Sequence, residues 1–357
     1  MIKVLVTGVG GPTPRSFVRA IKSFAIDYSN QFEFIGVDCN QLAYGLYEKE
    51  LFSKSFVVPR ADSVNYWSAI NKIIDENEID GAVILPEVEV IEWAKNADKN
   101  LTKKIKLHLP DPKLAQEIVN KHSLHELLKG SDVIPKYFLL NPTGYSYQKL
   151  KETVSDIYWV RSTEGSSGLG SLKIENEQAL EQWIAINPAV KEFIASEFLP
   201  GRNMACKLLY FNGKLVSSAC AERVHYIMAK VAPSGITGNT SFGRLLNEPG
   251  LVTTSVNAIE LIAKKLNTSL NGIFTVDYKE DANAAPKITE INIRHVAFTS
   301  SIAAGGANLP VDTLKGMFLE DPAMMQTKNY QFAENLIFLR DVDGMPIVMK
   351  ETDLISG

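Results

Sequence analysis

The chain has 357 residues, of which 45% are hydrophobic and 22% charged, and its formal net charge is -4. This length predicts two or three packed subdomains, and the scattered lysines and arginines argue against nucleic-acid partners. The three cysteines lack C-x-x-C spacing, which disfavours a disulfide framework or a zinc site and fits a cytoplasmic protein. Without a long apolar run or a signal-peptide pattern, we expect no membrane association and small-molecule partners.

Residues 1–112 predict a doubly wound α/β domain. Short apolar runs alternate here with amphipathic stretches, in the order IKVLVTG, RSFVRAIKSF, FEFIGVD, SVNYWSAINKIIDENE and GAVILP. Continuous apolar strands such as Gly81 to Leu85 are typical of a parallel sheet with helices on both faces.

Two features of this domain have alternative interpretations. The glycine loop from Thr7 to Arg15 offers backbone N–H groups to an anion, and Asp38 ends the second strand as a ribose-binding acid would. Thr13 stands where the dinucleotide fingerprint needs its third glycine, so a tight structural turn is favoured. Glu89 follows the strand at Gly81 and could bind an ammonium group, but a solvated loop acid is the favoured interpretation.

The stretch from Pro110 to Pro135 predicts helix, ending at Gly130. His122 and His125 lie three residues apart within it, a spacing compatible with metal binding. We favour helix-surface positions for both histidines over a metal site, because no third ligand is indicated for them.

The segment WVRSTEGSSGLGS, from Trp159 to Ser171, predicts a strand, a mobile hairpin and a returning strand. Arg161 places a cation in the first strand, and the glycines supply free backbone donors. An ordinary flexible hairpin would explain the glycines but not the arginine. The segment therefore predicts a cover for a polyphosphate.

The segments TVDY and ITEINIR predict two neighbouring strands with polar side chains on one face. Residues two apart in a strand point to the same side, so Glu290, Asn292 and Arg294 should project together, and Asp277 can join them. Oxygen ligands beside an arginine suit Mg2+ that bridges phosphate oxygens. A solvated polar face is the alternative, but an asparagine between inward isoleucines is unfavourable in a plain strand.

The order of these parts resembles the ATP-grasp superfamily, and within it the stand-alone proteins similar to the large subunit of carbamoyl-phosphate synthetase. The resemblance covers nearly the whole chain. It implies a pre-ATP-grasp, Rossmann-like α/β domain over 1–112 and an α+β ATP-grasp fold over 113–325, whose two halves enclose the nucleotide. The lid subdomain would span about 130–192, and 326–357 would be a C-terminal extension packing on the core.

The resemblance also implies residues that bind ATP. The segment NKHSLHELL carries a lysine at the family's phosphate-binding position, and ASEFLPG resembles the hinge that meets the adenine edge. Met204 stands where the family's ribose-binding glutamate belongs, with Asn203 beside it. The implied cofactor-binding residues are Lys121, Arg161, Ser166, Ser167, Gly168, Glu197, Phe198 and Leu199.

For the metal and the chemistry, Asp277, Glu290 and Asn292 match the positions that hold Mg2+, with Mn2+ as an alternative ion. Arg294 matches the arginine that faces the transferred phosphoryl group or the substrate. Arg223 resembles a family arginine near the substrate. Both arginines are predicted to act in catalysis.

The resemblance implies an ADP-forming ligase that activates a small-molecule carboxylate as an acyl phosphate for attack by an amine. Carbamate and carboxyphosphate chemistry of the carbamoyl-phosphate synthetase kind is one alternative. A non-catalytic ATP-binding sensor is another, favoured by Met204 at the ribose position. A nicotinamide oxidoreductase is the third choice, and a homodimer is left open.

Overall fold

The computed structural model describes residues 1–165, 170–341 and 347–350, with the side chains of 347–349 outside the description. The described strands form three sheets, of five, four and eight strands. No helix in this part of the chain combines the length and apolar character needed to cross a membrane.

The N-terminal sheet is entirely parallel, with the order β3-β2-β1-β4-β5. Its strands are β1 (Ile2–Thr7), β2 (Phe32–Asp38), β3 (Lys54–Val57), β4 (Gly81–Val83) and β5 (Lys106–Leu107). The accompanying helices are α1 (Pro12–Phe24), α2 (Ile26–Ser29), α3 (Tyr66–Asn77) and α4 (Glu87–Asn100).

Alternate residues of β1 enter different apolar clusters, Val4 with α1 and Leu5 with α3 and α4. Helices therefore cover both faces of the sheet, which confirms the doubly wound prediction. The short strands β3 and β5 were not among the predicted elements.

Two helices, α5 (Pro112–Val119) and α6 (Lys121–Leu127), lead out of this domain. They replace the longer predicted helical stretch and are separated at Asn120. The Asn120 side chain accepts a hydrogen bond from Ser123 N, so it caps α6 and starts a new helix direction.

The four-stranded sheet, called the lid sheet below, has the order β6-β9-β7-β8 and is antiparallel. It contains β6 (Tyr137–Leu140), β7 (Tyr158–Ser162), β8 (Leu172–Ile174) and β9 (Phe193–Glu197), with helices α7 (Tyr147–Val154) and α8 (Glu177–Ile186). It has an apolar core of its own, which includes Tyr158, Leu180 and Phe193. The predicted hairpin strands flanking Gly165 are thus β7 and β8.

The third sheet, called the large sheet, has the order β14-β13-β10-β11-β12-β16-β17, and β15 pairs with β11. Its strands are β10 (Asn203–Phe211), β11 (Lys214–Tyr226), β12 (Thr240–Leu246), β13 (Gly272–Glu280), β14 (Pro286–Asn292), β15 (Lys328–Asn329), β16 (Leu336–Leu339) and β17 (Ile347–Lys350). Asn212 and Gly213 both have positive φ, 47° and 85°, in the turn that joins β10 to β11. This confirms the hairpin that the Asn-Gly pair predicts.

Three further helices accompany the large sheet: α9 (Pro249–Leu266), α10 (Thr299–Ala304) and α11 (Leu309–Leu314). The helix expected from about Thr253 begins earlier, because Pro249 is suited to the first turn. Helix α10 returns the chain to α1, where Ser16 Oγ donates to Ser300 Oγ at 2.8 Å.

Both larger apolar clusters contain residues of the N-terminal sheet and of the large sheet. These two sheets therefore share cores, while the lid sheet is packed separately. Strand β16 pairs antiparallel with β12, so part of the chain after residue 326 extends the large sheet. The predicted domain boundaries stay a prediction.

Candidate functional site

The three predicted metal ligands lie together on two antiparallel strands. Asp277 of β13 is opposite Glu290 of β14, and Asn292 is two residues further along the same strand. Asn292 Nδ2 donates to Asp277 Oδ2 at 2.9 Å and to Glu290 Oε1 at 3.2 Å. Two carboxylates and one amide thus converge within hydrogen-bond distance.

An irregularity in β14 shapes this cluster. Asp277 pairs with Glu290 but Tyr278 pairs with Ile288, which leaves Thr289 as an extra residue. This bulge lets Ile288 and Ile291 both be buried despite their odd spacing. Thr289 Oγ1 donates to the Asp277 carbonyl, so the extra residue also fixes the two strands beside the carboxylates.

The prediction that Arg294 projects from the same strand is wrong, because β14 ends at Asn292 and Arg294 lies in the following turn. Its Nη1 donates to the His295 carbonyl, and its buried Nε has no hydrogen-bond partner among the described residues. The side chain still lies within electrostatic range of Asp277 and Glu290.

Arg223 approaches the cluster from β11. Its Nη1 donates to Asp277 Oδ1 at 3.2 Å, and these side chains are only 12% and 13% exposed. Its Nε donates to Thr240 Oγ1 and its Nη2 to the Gly238 carbonyl. Two oxygens, one of β12 and one of the loop before it, thus hold the guanidinium of Arg223 against the Asp277 carboxylate.

Two further cations reach Glu290 from outside the large sheet. Lys121, the first residue of α6, is 5% exposed, and its Nζ lies 3.8 Å from Glu290 Oε2 and donates to the Gly165 carbonyl at 2.9 Å. Arg161 of β7 donates from Nη2 to the Thr289 carbonyl at 3.0 Å. The lid sheet and α6 therefore contact the metal-ligand strand directly.

The cations set the ionisation of the two carboxyl groups. Burial acts to raise the pKa of Glu290, but Lys121, Arg161, Arg223 and Arg294 together lower it. Burial raises the pKa of Asp277 to about 6, against the opposing effect of Arg223. With four cations around two carboxylates, the site has an excess of positive charge and suits a polyanion.

A cavity of about 420 Å³ lies beside this cluster, between the lid sheet and the large sheet. Eight of its lining residues belong to the predicted site: Lys121, Arg161, Glu197, Phe198, Leu199, Arg223, Asp277 and Glu290. Asn203 and the buried Met204 line it as well. The predicted Ser166, Ser167 and Gly168 lie outside the described residues.

The segment from Glu197 to Leu199 forms another part of the cavity wall. Glu197 Oε1 accepts from Lys136 N at 2.9 Å, and Leu199 is buried. Phe198 is 37% exposed, and Lys173 Nζ lies 5.0 Å from its ring centroid. This segment offers a peptide edge next to apolar surface, which suits a planar base.

The donor set suits a hard divalent ion. Carboxylate and amide oxygens are preferred ligands of Mg2+, which usually takes one or two carboxylates and completes its shell with water and phosphate oxygens. Among the described residues no group of three or more His, Cys, Asp or Glu could hold a metal. A metal here would therefore depend on Asn292 and on oxygens of the ligand.

Two predictions about buried polar residues are wrong. His125 is fully buried rather than on the helix surface, and burial lowers its pKa to about 3, so it is neutral. Its Nδ1 lies 2.6 Å from the Lys121 carbonyl. Glu89 is a buried residue in the first turn of α4 rather than a solvated loop acid. Tertiary packing covers both, and helical spacing alone could not show this.

The sequence interpretation also missed Lys207, which is fully buried in β10. Its Nζ donates to Thr299 Oγ1 and lies 5.7 Å from the centroid of the Phe298 ring. Burial lowers its pKa to about 7. A lysine within the apolar run NMACKLLYF was the available signal.

No family model matches the sequence, and no curated protein matches it. The fold, however, is similar to solved structures. A structure of N5-carboxyaminoimidazole synthetase from Staphylococcus aureus complexed with ADP has a TM-score of 0.70 and 13% identity, covering 95% of this chain and 82% of that one. An L-amino acid ligase from Bacillus licheniformis has a TM-score of 0.63 and 13% identity, covering 95% and 79%.

A D-alanine–D-alanine ligase from Bacillus anthracis is also similar, with a TM-score of 0.56 and 13% identity over 90% of this chain and 99% of that one. These neighbours are ATP-grasp ligases. The parallel N-terminal sheet and the antiparallel sheets described above are consistent with the ATP-grasp architecture. The chain therefore has the ATP-grasp fold.

Proposed function

We propose that this protein binds ATP in the 420 Å³ cavity and uses it to join a carboxylate to an amine, releasing ADP and phosphate. One observation carries the proposal: Asp277, Glu290 and Asn292 converge at the cavity wall beside four buried or half-buried cations. This arrangement matches what phosphoryl transfer requires, since that chemistry depends mostly on positioning and charge stabilisation.

The nucleotide would lie with its base against the segment from Glu197 to Leu199, where backbone groups meet the adenine edge. Lys121 and Arg161 would bind the phosphates, and the hairpin with Ser166, Ser167 and Gly168 would cover them. Met204 cannot bind the ribose hydroxyls through a carboxylate, so Asn203 is the polar side chain of β10 nearest in sequence for that role.

Asp277, Glu290 and Asn292 would hold Mg2+ or Mn2+. An ion held there would supply positive charge that stabilises the phosphate oxygens during transfer. Arg223 keeps Asp277 oriented through a 3.2 Å contact. Arg294 lies within electrostatic range of Asp277 and lines a small cavity with residues of β4, and it would bind the acceptor carboxylate or the transferred phosphoryl group.

The similar solved structures support this proposal, because they are a synthetase complexed with ADP and two ligases. The finer resemblance to the carbamoyl-phosphate synthetase large subunit rests on sequence features such as Arg161. Carboxyphosphate chemistry of that kind belongs to the same proposal as an alternative acceptor reaction.

A second candidate function is an ATP-binding sensor without turnover. Met204 favours it, because this buried side chain occupies the ribose-glutamate position and lines the cavity. The two functions differ in whether added substrates stimulate ADP release.

The deciding experiment measures ADP release by the full chain with Mg-ATP and pooled carboxylates and amino acids. We expect stimulated release in the wild type and a loss of about 100-fold or more in Glu290→Ala. Glu181→Ala, on the exposed face of α8, is the matched control and should keep full activity.

Three results would count against the proposal. Undiminished release in Glu290→Ala would refute the metal assignment. A rise in melting temperature with Mg-ATP but no stimulated release would favour the sensor. A rise with NAD in place of Mg-ATP would favour the oxidoreductase instead.

A further inference from the structure

A second set of polar residues lies at the carboxyl end of the N-terminal sheet. The strand order reverses direction between β1 and β4, and open α/β sheets bind ligands in the crevice at such a point. The residues here are Thr7, Asp38, Cys39, Glu87 and Glu89, and we call them the acidic crevice. Three of the five are carboxylic acids.

Glu89 is the unusual member of the acidic crevice. It is 8% exposed, and its Oε2 is buried with no hydrogen-bond partner among the described residues. Burial and the nearby Asp38 raise its pKa to about 7, opposed by the hydroxyls of Thr7 and Tyr66. No cation contributes to this balance. A buried carboxylate without a positive partner is costly, so its presence calls for an explanation.

The hydroxyls of Thr7 and Tyr66 hydrogen-bond Glu89, but neither carries a positive charge. Asp38 accepts hydrogen bonds from Gly10 N at 2.8 Å and from Asn40 N at 2.9 Å, so both of its carboxylate oxygens are already bonded to backbone N–H groups. Thr7 Oγ1 accepts from Leu85 N. The pKa of the Cys39 thiol is raised by burial and then by Asp38 and Glu89, while Arg60 acts to lower it. The charged group that acts on the pKa of Glu89 itself is another acid, Asp38.

Glu87 connects the acidic crevice to the phosphate site. It is two residues from Glu89 in the first turn of α4. Burial raises its pKa, Arg294 and Lys121 lower it, and Glu290 raises it. Glu87 thus lies within electrostatic range of Glu290 and Lys121. Leu85 and Val90, on either side of it in the chain, line a small cavity together with Arg294, so the crevice adjoins the proposed phosphate site.

From this arrangement we infer that the acidic crevice binds the ammonium group of the amine substrate, with Glu89 and Glu87 as its carboxylate partners. The inference rests on the proposed function and names the class of its second substrate. A cationic primary amine complements the crevice, whereas an anionic second substrate such as bicarbonate would be repelled by it. The two substrates are thereby separated by charge, ATP at the cations and the amine at the acids.

The test measures binding to the full chain without ATP, so its outcome does not depend on turnover. The probes are ethylamine and 1,4-diaminobutane, with 1,4-butanediol and succinate as neutral and anionic counterparts, and the readouts are melting temperature and calorimetric affinity. We expect both amines to raise the melting temperature and the diol and succinate to leave it unchanged.

Glu89→Gln should bind the amines at least about tenfold more weakly, and Glu87→Gln should weaken binding as well. Asp98→Asn, which removes an exposed carboxylate from the last turn of the same helix, should bind them as the wild type does. Melting of each variant without amine checks that it is folded.

The inference is overturned if the amines do not bind the wild type, if succinate binds equally well, or if Glu89→Gln keeps the full affinity. A failure of the proposed function looks different. In that case ADP release is absent or insensitive to Glu290→Ala while amine binding to the crevice persists.

Discussion

The phosphate site, formed by Asp277, Glu290, Asn292 and the cations around them, and the acidic crevice shift the pKa of a buried glutamate in opposite directions. Glu290 is surrounded by four cations, which hold its pKa below the usual glutamate range despite burial. Glu89 is buried without a cation that offsets its charge, and its pKa is raised to about 7. Burial disfavours the charged form in both places, so the neighbours decide which carboxyl is ionised.

This difference indicates two kinds of ligand. At the phosphate site the cations outnumber the carboxylates that they pair with. The remaining positive charge favours an anionic ligand such as a polyphosphate. A carboxylate without a partner lacks positive charge and can obtain it from a ligand. The acidic crevice of the N-terminal sheet therefore favours a cationic ligand, whereas the phosphate site of the large sheet favours an anionic one.

The largest expected effect tests how strongly the phosphate site depends on paired charge. Arg223→Met leaves Asp277 buried without its 3.2 Å partner, and breaking such a pair costs about 3–5 kcal/mol of unfolding free energy. Denaturant unfolding measures this.

The double variant Arg223→Met with Asp277→Asn is the matched comparison, because it removes the uncompensated charge. It should recover part of the loss. If the single and double variants are equally destabilised, charge pairing does not explain the site.

The second prediction contrasts the two glutamates directly. Between the usual glutamate pKa and about pH 7, Glu89 is protonated in the folded protein but ionised in the unfolded chain. Its contribution to stability therefore falls as the pH rises through this interval. The unfolding free energy of Glu89→Gln should therefore exceed that of the wild type at pH 8. This difference between variant and wild type should be roughly 3 kcal/mol larger at pH 8 than at pH 5.

Glu290→Gln should show the opposite sign. The lowered pKa of Glu290 means that its ionised form contributes stability at neutral pH, and this contribution is lost as the pH falls through the folded-state value. Unfolding curves at pH 5 and pH 8 check Glu89→Gln, whereas Glu290→Gln is compared with the wild type at pH 8 and at about pH 3, below the usual glutamate pKa of about 4.3. The same sign for both would contradict the distinction between the two regions.

The smallest effect is expected at Lys207, a buried cation that no salt bridge joins to a described carboxylate. Lys207→Met keeps the side-chain volume and removes the buried charge. We therefore expect the unfolding free energy to rise, by no more than about 1.5 kcal/mol. Lys207→Ala, which leaves a cavity, should cost about 2–5 kcal/mol. Equal losses in the two variants would show that the charge itself stabilises the fold.

The sequence by itself determined much of the architecture. Apolar runs such as Gly81 to Leu85 predicted the parallel sheet, because strands covered on both faces need continuous apolar side chains. The Asn212-Gly213 pair predicted a hairpin, since both residues tolerate positive φ. Asp277, Glu290 and Asn292 were identified from their strands and do lie together.

Only the tertiary structure decided how the chain surrounds those residues. The bulge at Thr289 depends on the register between β13 and β14, which no periodicity in one strand can show. The burial of His125 and Glu89 depends on elements packed over them from other parts of the chain. Local patterns specify which residue types are available, while long-range packing decides which of them lose their water, and the loss of water sets their charge.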